Sequence, residues 1–434
     1  MHEPATGSDA LAQTPADSAN RTSPRGWAVL LLNRLHYSTV VLASFGFGLF
    51  LPFLQEDLGL SYLQIGLLQA IAWGTSAVCL VPFSVLLARF NPNYRVLVGL
   101  ALMTPFLFTQ GLATGFWTLL GSRFLMVLTQ AGMTPARPLL LRWWVAPRQY
   151  STVTAVGLSL HSTFMAAALT FSPIIIVVLN SWRLAYFLQA GLLGGHLLAW
   201  AALTWKAPRS LEETPAAITR VESTQTDAGA EQDQREASLV GALLRYPHAW
   251  LLGVVMLCLS ASWTTVLTFL PIILETERGV AISAGSILFG FLYYVLVPGG
   301  MLGSWIFNHI TNRRVMVILP ALLNLLSTLG ALLAGNEFMA AVSLTGMGLA
   351  WAFVPAMEIL PFEFKEIRTR EVSVIAGLVQ TFGAVGFGGG PALAGALAEV
   401  TDSLVTGVLV VGGLTGMAVL AAAALPRRFE GRLM

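Results

Sequence analysis

Charge is what this chain has least of. Asp, Glu, Lys and Arg make up 11% of its 434 residues, against about 25% in a soluble domain, while 56% are hydrophobic and the mean hydropathy is +0.72. A water-soluble fold could not hide that much apolar surface. Cysteine is scarcer still: Cys79 and Cys258 each sit inside an apolar run, which excludes a disulfide framework and a cysteine-based metal site and leaves both as packing residues. A Gly-x-x-x-x-Gly-Lys-Ser/Thr phosphate loop is missing, so ATP drive by this chain is not expected. No His-rich cluster and no Ser–His pair stands at a workable spacing, so neither an enzyme nor a cofactor or metal is expected. The net charge of +2, with basic residues scattered along loops, excludes a nucleic-acid partner.

What the sequence has is long apolar runs of roughly 20 residues or more, the length that crosses about 30 Å of hydrocarbon. Six fall in the first half, at 27–50, 61–87, 95–114, 116–141, 152–178 and 184–205, and six in the second, at 249–273, 282–306, 315–334, 338–360, 373–398 and 403–425. The expected fold is an all-α polytopic membrane protein of twelve transmembrane helices in two six-helix halves, 27–205 and 249–425. Residues 1–26 are polar, without the apolar core of a cleaved signal, and read as a disordered tail; residues 426–434 form a second tail. Between the halves, 206–248 carries Glu212, Glu213, Glu222, Asp227, Glu231, Asp233 and Glu236 among Ser, Thr, Gln and Ala. It reads as a flexible linker, ending in a short surface helix around Leu239, Val240, Leu243, Leu244 and Arg245.

Arg and Lys set the orientation. With the N-terminus inside, the cytosolic loops and tails receive Arg21, Arg25, Arg89, Arg95, Arg142, Arg148, Lys206, Arg313, Arg314, Lys365, Arg368, Arg370, Arg427, Arg428 and Arg432, and the opposite loops only Arg183 and Arg278. Both termini are therefore expected in the cytosol, with the chain in the plasma (inner) membrane.

The halves repeat one another. The loop after the second helix of each is basic, with Arg89 and Arg95 in one and Arg313 and Arg314 in the other, and the fourth helix of each exits into Arg142 to Arg148 or Lys365 to Arg370. Parallel repeats imply a substrate site between the halves near the bilayer midplane.

Local patterns along almost the whole membrane portion resemble the major facilitator superfamily. Its Gly-x-Leu-Ala-Asp-Arg-x-Gly-Arg-Arg signature is degenerate here: Leu86 and Arg89 match, Ser84 and Ala88 replace the Gly and the Asp, and Ser304, Asn308 and Arg313 take the equivalent places in the second half. Arg123, Gly132, Pro135, Arg142, Trp143 and Arg148 resemble the family's fourth helix and exit loop, with Met126 and Val127 where Gln-Gly often stands. Trp182-Arg183-Leu184-Ala185-Tyr186-Phe187 is the most specific match, and Gly386, Gly388, Gly389, Gly390, Pro391 and Gly395 are similar to a pattern of the eleventh helix. Helix 5 offers Ser172-Pro173 in place of the Gly-Pro of many proton-driven drug exporters. The resemblance implies a secondary transporter working by alternating access, with Arg89, Asn308 and Arg313 in its gating loops.

An ionised Arg at the bilayer centre costs about 2.5 to 3.5 kcal/mol, so intramembrane charges face protein or a watery cavity. Arg123, Gln130 and Arg137, seven apart with Thr134 nearby, form a polar stripe on an apolar helix. Either Arg123 holds an anionic group that Gln130 orients, or the stripe is a contact between helices. Arg34, His36, Arg137 and Glu358 count toward the cytosolic side, where ion pairs would close an inner gate; the alternative is snorkelling arginines and a solvated Glu358. His36, His161 and His196 are candidates to relay a co-transported proton, or packing residues. Trp73, Trp263, Tyr293, Tyr294, Trp351, Gln380 and Thr381 are candidates to line the cavity.

Three functions fit. The first is transport of a small organic or inorganic anion by a monomer, since one chain of this design contains both halves. The others are a multidrug or metabolite exporter of the same fold, and a non-transporting membrane sensor or scaffold.

Overall fold

The computed structural model describes residues 22–45, 47–87, 90–134, 136–146, 149–179, 181–205, 245–280, 282–299, 309–357, 360–364, 367 and 369–428. They form twelve helices in two six-helix halves. The first half holds α1 (Pro24–Phe45 and Phe47–Leu58), α2 (Tyr62–Leu86), α3 (Pro92–Gly111), α4 (Phe116–Met133 and Ala136–Trp144), α5 (Tyr150–Leu179) and α6 (Trp182–Thr204). The second holds α7 (Pro247–Thr276), α8 (Ile282–Tyr294), α9 (Arg313–Leu333), α10 (Glu337–Trp351), α11 (Thr369–Thr401) and α12 (Leu404–Gly413 and Thr415–Ala424). Among the described residues, six segments, Pro24–Leu58, Trp182–Thr204, Pro247–Thr276, Arg313–Leu333, Ile375–Thr401 and Leu404–Ala424, are long and apolar enough to cross a bilayer.

Short polar residues start the helices where the apolar runs begin. The side chains of Asn91, Ser181, Asn312, Asn336 and Ser403 each accept a hydrogen bond from a backbone N–H in the first turn of the helix that follows, satisfying a donor that has no partner within the helix. The two halves also end their first helix alike. Gly59 (φ +62°) and Gly279 (φ +64°) donate back to the carbonyls of Gln55 and Glu275. This left-handed cap is open to glycine at no steric cost.

Two boundaries differ from the sequence reading. Helix α1 starts at Pro24, inside the segment assigned to the tail, because Pro suits a first helical turn. The tenth helix stops at Trp351 rather than 360, giving way to a turn at Val354–Met357 and a 3₁₀ turn at Leu360–Glu363. Pro355 and Pro361 remove the backbone donors that a continuous helix needs. The linker acids and the proposed surface helix before Arg245 lie outside the described residues.

We call the face holding Thr22 and Arg427 the tail side. Thr22 N–H donates to Gln149 (2.8 Å), and Arg313 N–H donates to the Arg427 carbonyl (2.9 Å), which puts both ends of the described chain at the α4–α5 turn and the start of α9. The halves meet on the opposite, far side. There α2 lies along α11, α5 along α8, and α1 against α7. A Cβ on Gly48 would stand 1.9 Å from the Leu267 carbonyl oxygen, one on Gly66 2.4 Å from that of Pro391, and one on Gly395 2.3 Å from that of Tyr62. These are backbone-to-backbone approaches that no side chain could enter. Buried apolar residues follow the same division. One cluster runs through the first half and the far-side part of the second; another, with Tyr246, Met256, Val317, Phe364, Ile375 and Leu425, belongs to the tail-side part of the second half alone. The halves are thus sealed on the far side and, among the described residues, share no buried cluster on the tail side.

Gly66→Ala is therefore expected to wedge α2 from α11 and loosen the seal. A cysteine placed by Thr268→Cys, fully buried under Gln69, in a chain with Cys79 and Cys258 replaced by alanine, should then react several-fold faster with an impermeant thiol reagent added from the far side. Unchanged labelling would refute this account of the seal.

Candidate functional site

Two arginines from different helices converge toward the tail side of the first half. Arg34 on α1 and Arg137 on α4 line one cavity of about 240 Å³ with Asn33, Leu141, Val153 and Gly157. Arg137 and Asn33 also line a smaller one of about 20 Å³ with His36, Tyr37, Gln130 and Thr134. The two cavities share Asn33 and Arg137 in their walls, and together they make a recess into which both guanidinium groups face.

Each side chain has a reason for its position. Tyr37 follows Arg34 by three residues on α1, so both face the recess, and the Arg137 guanidinium lies over the Tyr37 ring, 4.1 Å from its centroid. Arg34 lies against Gly157 of α5, where a Cβ would stand 2.9 Å from Nε; glycine is what admits it. His161, one turn farther along α5, shares a hydrogen bond of 2.7 Å with Ser38 and packs on Tyr37 with ring centroids 5.5 Å apart. Among the described residues, neither Arg34 nor Arg137 makes an ion pair, and neither guanidinium donates a hydrogen bond to a side chain or carbonyl. Two unpaired cations sharing a recess repel each other, and an anion between them would relieve that repulsion.

Arg123 has a different place. It is fully buried, with Nε donating to the Leu68 carbonyl (2.9 Å), one terminal nitrogen to the Ala43 carbonyl (3.1 Å) and the other to Gln69 Oε1 (2.5 Å), while its charge lies 4.3 Å from the Phe47 ring centroid. Gln69 passes the link on to Thr268 of the second half at 3.2 Å. The guanidinium expected to face a substrate thus ties α1, α2 and α4 together and lines neither cavity.

Of the other sequence candidates, Gln130 and His36 sit in the recess with Arg137. His36 is also set edge-on to Trp200 at 6.0 Å. Gln380 is exposed on α11 and lines neither cavity, and the Thr381 hydroxyl donates to the Gly377 carbonyl at 2.8 Å. Arg313 donates two hydrogen bonds to Glu363, at 2.8 and 2.7 Å, with both side chains largely buried. It therefore anchors the start of α9 to the turn after α10 inside one half. Arg89, Asn308 and Glu358 lie outside the described residues. Trp182 and Arg183 both bind the Asp57 carboxylate, and Arg183 also reaches the Ala113 carbonyl (3.2 Å), so this motif ties α6 to the far-side ends of α1 and α3.

Aromatic side chains of α2, α7, α8, α10 and α11 form a chain of ring contacts. Trp73 of α2 stacks on Phe387 of α11 (4.5 Å), Phe387 meets Trp351 (5.5 Å), Trp351 meets Trp263 (4.8 Å), and Trp263 meets Tyr293 (5.7 Å). The buried indole N–H of Trp351 has no hydrogen-bond acceptor among the described residues. Sequence reasoning named Trp73, Trp263, Tyr293 and Trp351 but missed Phe387, Tyr37 and Gln69. Tyr37 was detectable as the neighbour of Arg34 one turn on; nothing in sequence marks Gln69 as the acceptor of a charge 54 residues away.

A sequence profile of the Major Facilitator Superfamily matches residues 37–391. The hexuronate transporter of Bacillus subtilis (strain 168) is 23% identical over 413 residues, spanning 88% of this chain and 90% of that one. Among solved structures, a bacterial homologue of the human lysosomal transporter Spinster, inward-facing and unoccupied, superposes with a TM-score of 0.65 at 17% identity, over 93% of this chain and 95% of its own. The nucleoside transporter NupG gives 0.69 at 12% identity, over 93% and 98%.

Proposed function

The chain belongs to the major facilitator superfamily, and on that premise we propose that it is a secondary transporter of a small organic anion, a sugar carboxylate of the hexuronate kind. The observation that carries this reading is the pair of guanidinium groups, Arg34 and Arg137, sharing a recess without a described counter-ion. Arginine forks match carboxylate geometry with two parallel hydrogen bonds. The amide of Gln130 and the imidazole of His36 supply polar groups for hydroxyls. The hexuronate transporter that matches over most of both chains supports the same class.

The proposed cycle is alternating access between the two halves, coupled to a proton or cation gradient and not to ATP. The distribution of Arg and Lys supports a plasma-membrane protein with both termini cytosolic. The far-side seal would then correspond to an inward-open state, with the recess facing the cytosol. One chain holds both halves, which supports a working monomer.

The test is flux into proteoliposomes holding the purified chain. Labelled glucuronate or galacturonate should enter saturably, be displaced by other sugar carboxylates, and be insensitive to glucose and galactose. Equal displacement by the neutral hexoses would overturn the carboxylate assignment, and absence of any solute flux would favour a sensor or scaffold.

A further inference from the structure

Outside the transport recess, α2, α3 and α4 leave a groove on the outer surface of the first half, about 450 Å³ in volume, within the ~300 to 1,000 Å³ typical of small-molecule sites. Phe83, Leu87, Val98, Leu102, Leu128 and Met133 make its walls. Tyr94, Val98 and Leu102 recur every four residues along α3 and are each about half exposed, so this stripe faces the hydrocarbon of the bilayer. The tail-side end of the groove holds a charge. Arg95 is only 8% exposed, one terminal nitrogen donates to the Gly132 carbonyl at 3.0 Å, and its buried Nε has no hydrogen-bond partner. Among the described residues Arg95 makes no ion pair. A guanidinium this deeply buried at the end of an apolar groove, with one carbonyl as its described partner, is unfavourable unless an anion in the groove completes it.

We propose that this groove binds an anionic phospholipid of the tail-side leaflet. The phosphate accepts hydrogen bonds from Arg95, and one acyl chain lies between α2, α3 and α4. The geometry selects this occupant because it joins the two features in one molecule: an apolar chain for a trough open to lipid, and a negative headgroup at the depth where the trough ends in a cation. Basic pockets between spans on the cytoplasmic side are recognised by anionic headgroups in this way. A zwitterionic lipid would fill the trough but bring its own positive group to the guanidinium.

Native mass spectrometry of the full chain decides the matter, using phosphatidylglycerol and phosphatidylcholine of identical acyl chains. The chain should retain phosphatidylglycerol about fivefold more strongly, the ratio expected for one arginine near a headgroup. Arg95→Gln should bring the two lipids level. Val98→Trp, at a position 54% exposed where a larger side chain has room to fold, should block the trough and remove the bound lipid while Arg95 stays in place; it decides the question if Arg95→Gln does not fold. Equal retention of both lipids by the unmodified chain would mean annular lipid only and overturn the site. So would a preference for phosphatidylglycerol that survives both substitutions.

Discussion

Arg137→Gln should lower uptake of a sugar carboxylate by about ten- to a hundredfold, because a lost hydrogen bond to a charged group is worth about 1.5 to 3 kcal/mol. The loss should appear mainly as a raised half-saturation concentration, and thermal stability should change little. Arg137 is half-buried, makes no described ion pair, and leans only on the Tyr37 ring, an exposed-site contact worth about 0.5 to 1 kcal/mol. Arg137→Lys keeps the charge but not the fork, and should recover only part of the loss. Arg34→Gln should resemble Arg137→Gln. The double substitution should add little to either single one if both arginines hold the same carboxylate. The measurement is initial uptake rate against substrate concentration, beside the unfolding temperature of each variant. Full uptake by a folded Arg137→Gln chain would remove the recess from the transport path.

The spans were legible because the bilayer makes a simple demand: about 20 apolar residues with every backbone group satisfied internally. Apolar runs bounded by Asn91, Ser181, Asn312, Asn336 and Ser403 therefore become helices close to where the sequence places them. The tenth span was misjudged at its end because hydropathy continues past Trp351 while Pro355 and Pro361 break the hydrogen-bond ladder. The site was only partly legible. Arg34, Arg123 and Arg137 are all lone cations in apolar helices, and sequence offers no way to tell a cavity wall from a saturated knot. The distinction lies in what faces each one: two carbonyls and Gln69 from α1 and α2 for Arg123, and open recess for the other two. Helix packing decides that, and the periodicity of one helix does not record it. Gly388 and Gly395 of the eleventh-helix pattern lie where α11 meets α2 backbone to backbone, as does Gly66, which no sequence pattern marked.

Gln69→Leu should be more damaging than removing the arginine it serves. In the native fold the Arg123 charge is fully buried against two carbonyls and one amide oxygen. Leucine at position 69 would leave that charge in place and take away its described side-chain acceptor. Losing a hydrogen bond to a buried charge costs about 1.5 to 3 kcal/mol, because part of the charge's desolvation is no longer offset. The link from Gln69 to Thr268, which joins the halves at 3.2 Å, is lost as well. Arg123→Met removes the charge along with its hydrogen bonds, so two large terms of opposite sign disappear together and the net loss should be smaller, about 1 to 2 kcal/mol. In the double variant the uncompensated charge is gone, and its stability should return close to that of Arg123→Met. The pair would then show a coupling energy of about 2 kcal/mol or more, the signature of direct contact. Unfolding of the three variants in one detergent, followed by tryptophan fluorescence, reads this order directly. If Gln69→Leu is as stable as the parent while Arg123→Met keeps its fold and loses uptake, then Arg123 contacts the substrate in some state of the cycle. The anion site would then extend from the recess to the middle of α4.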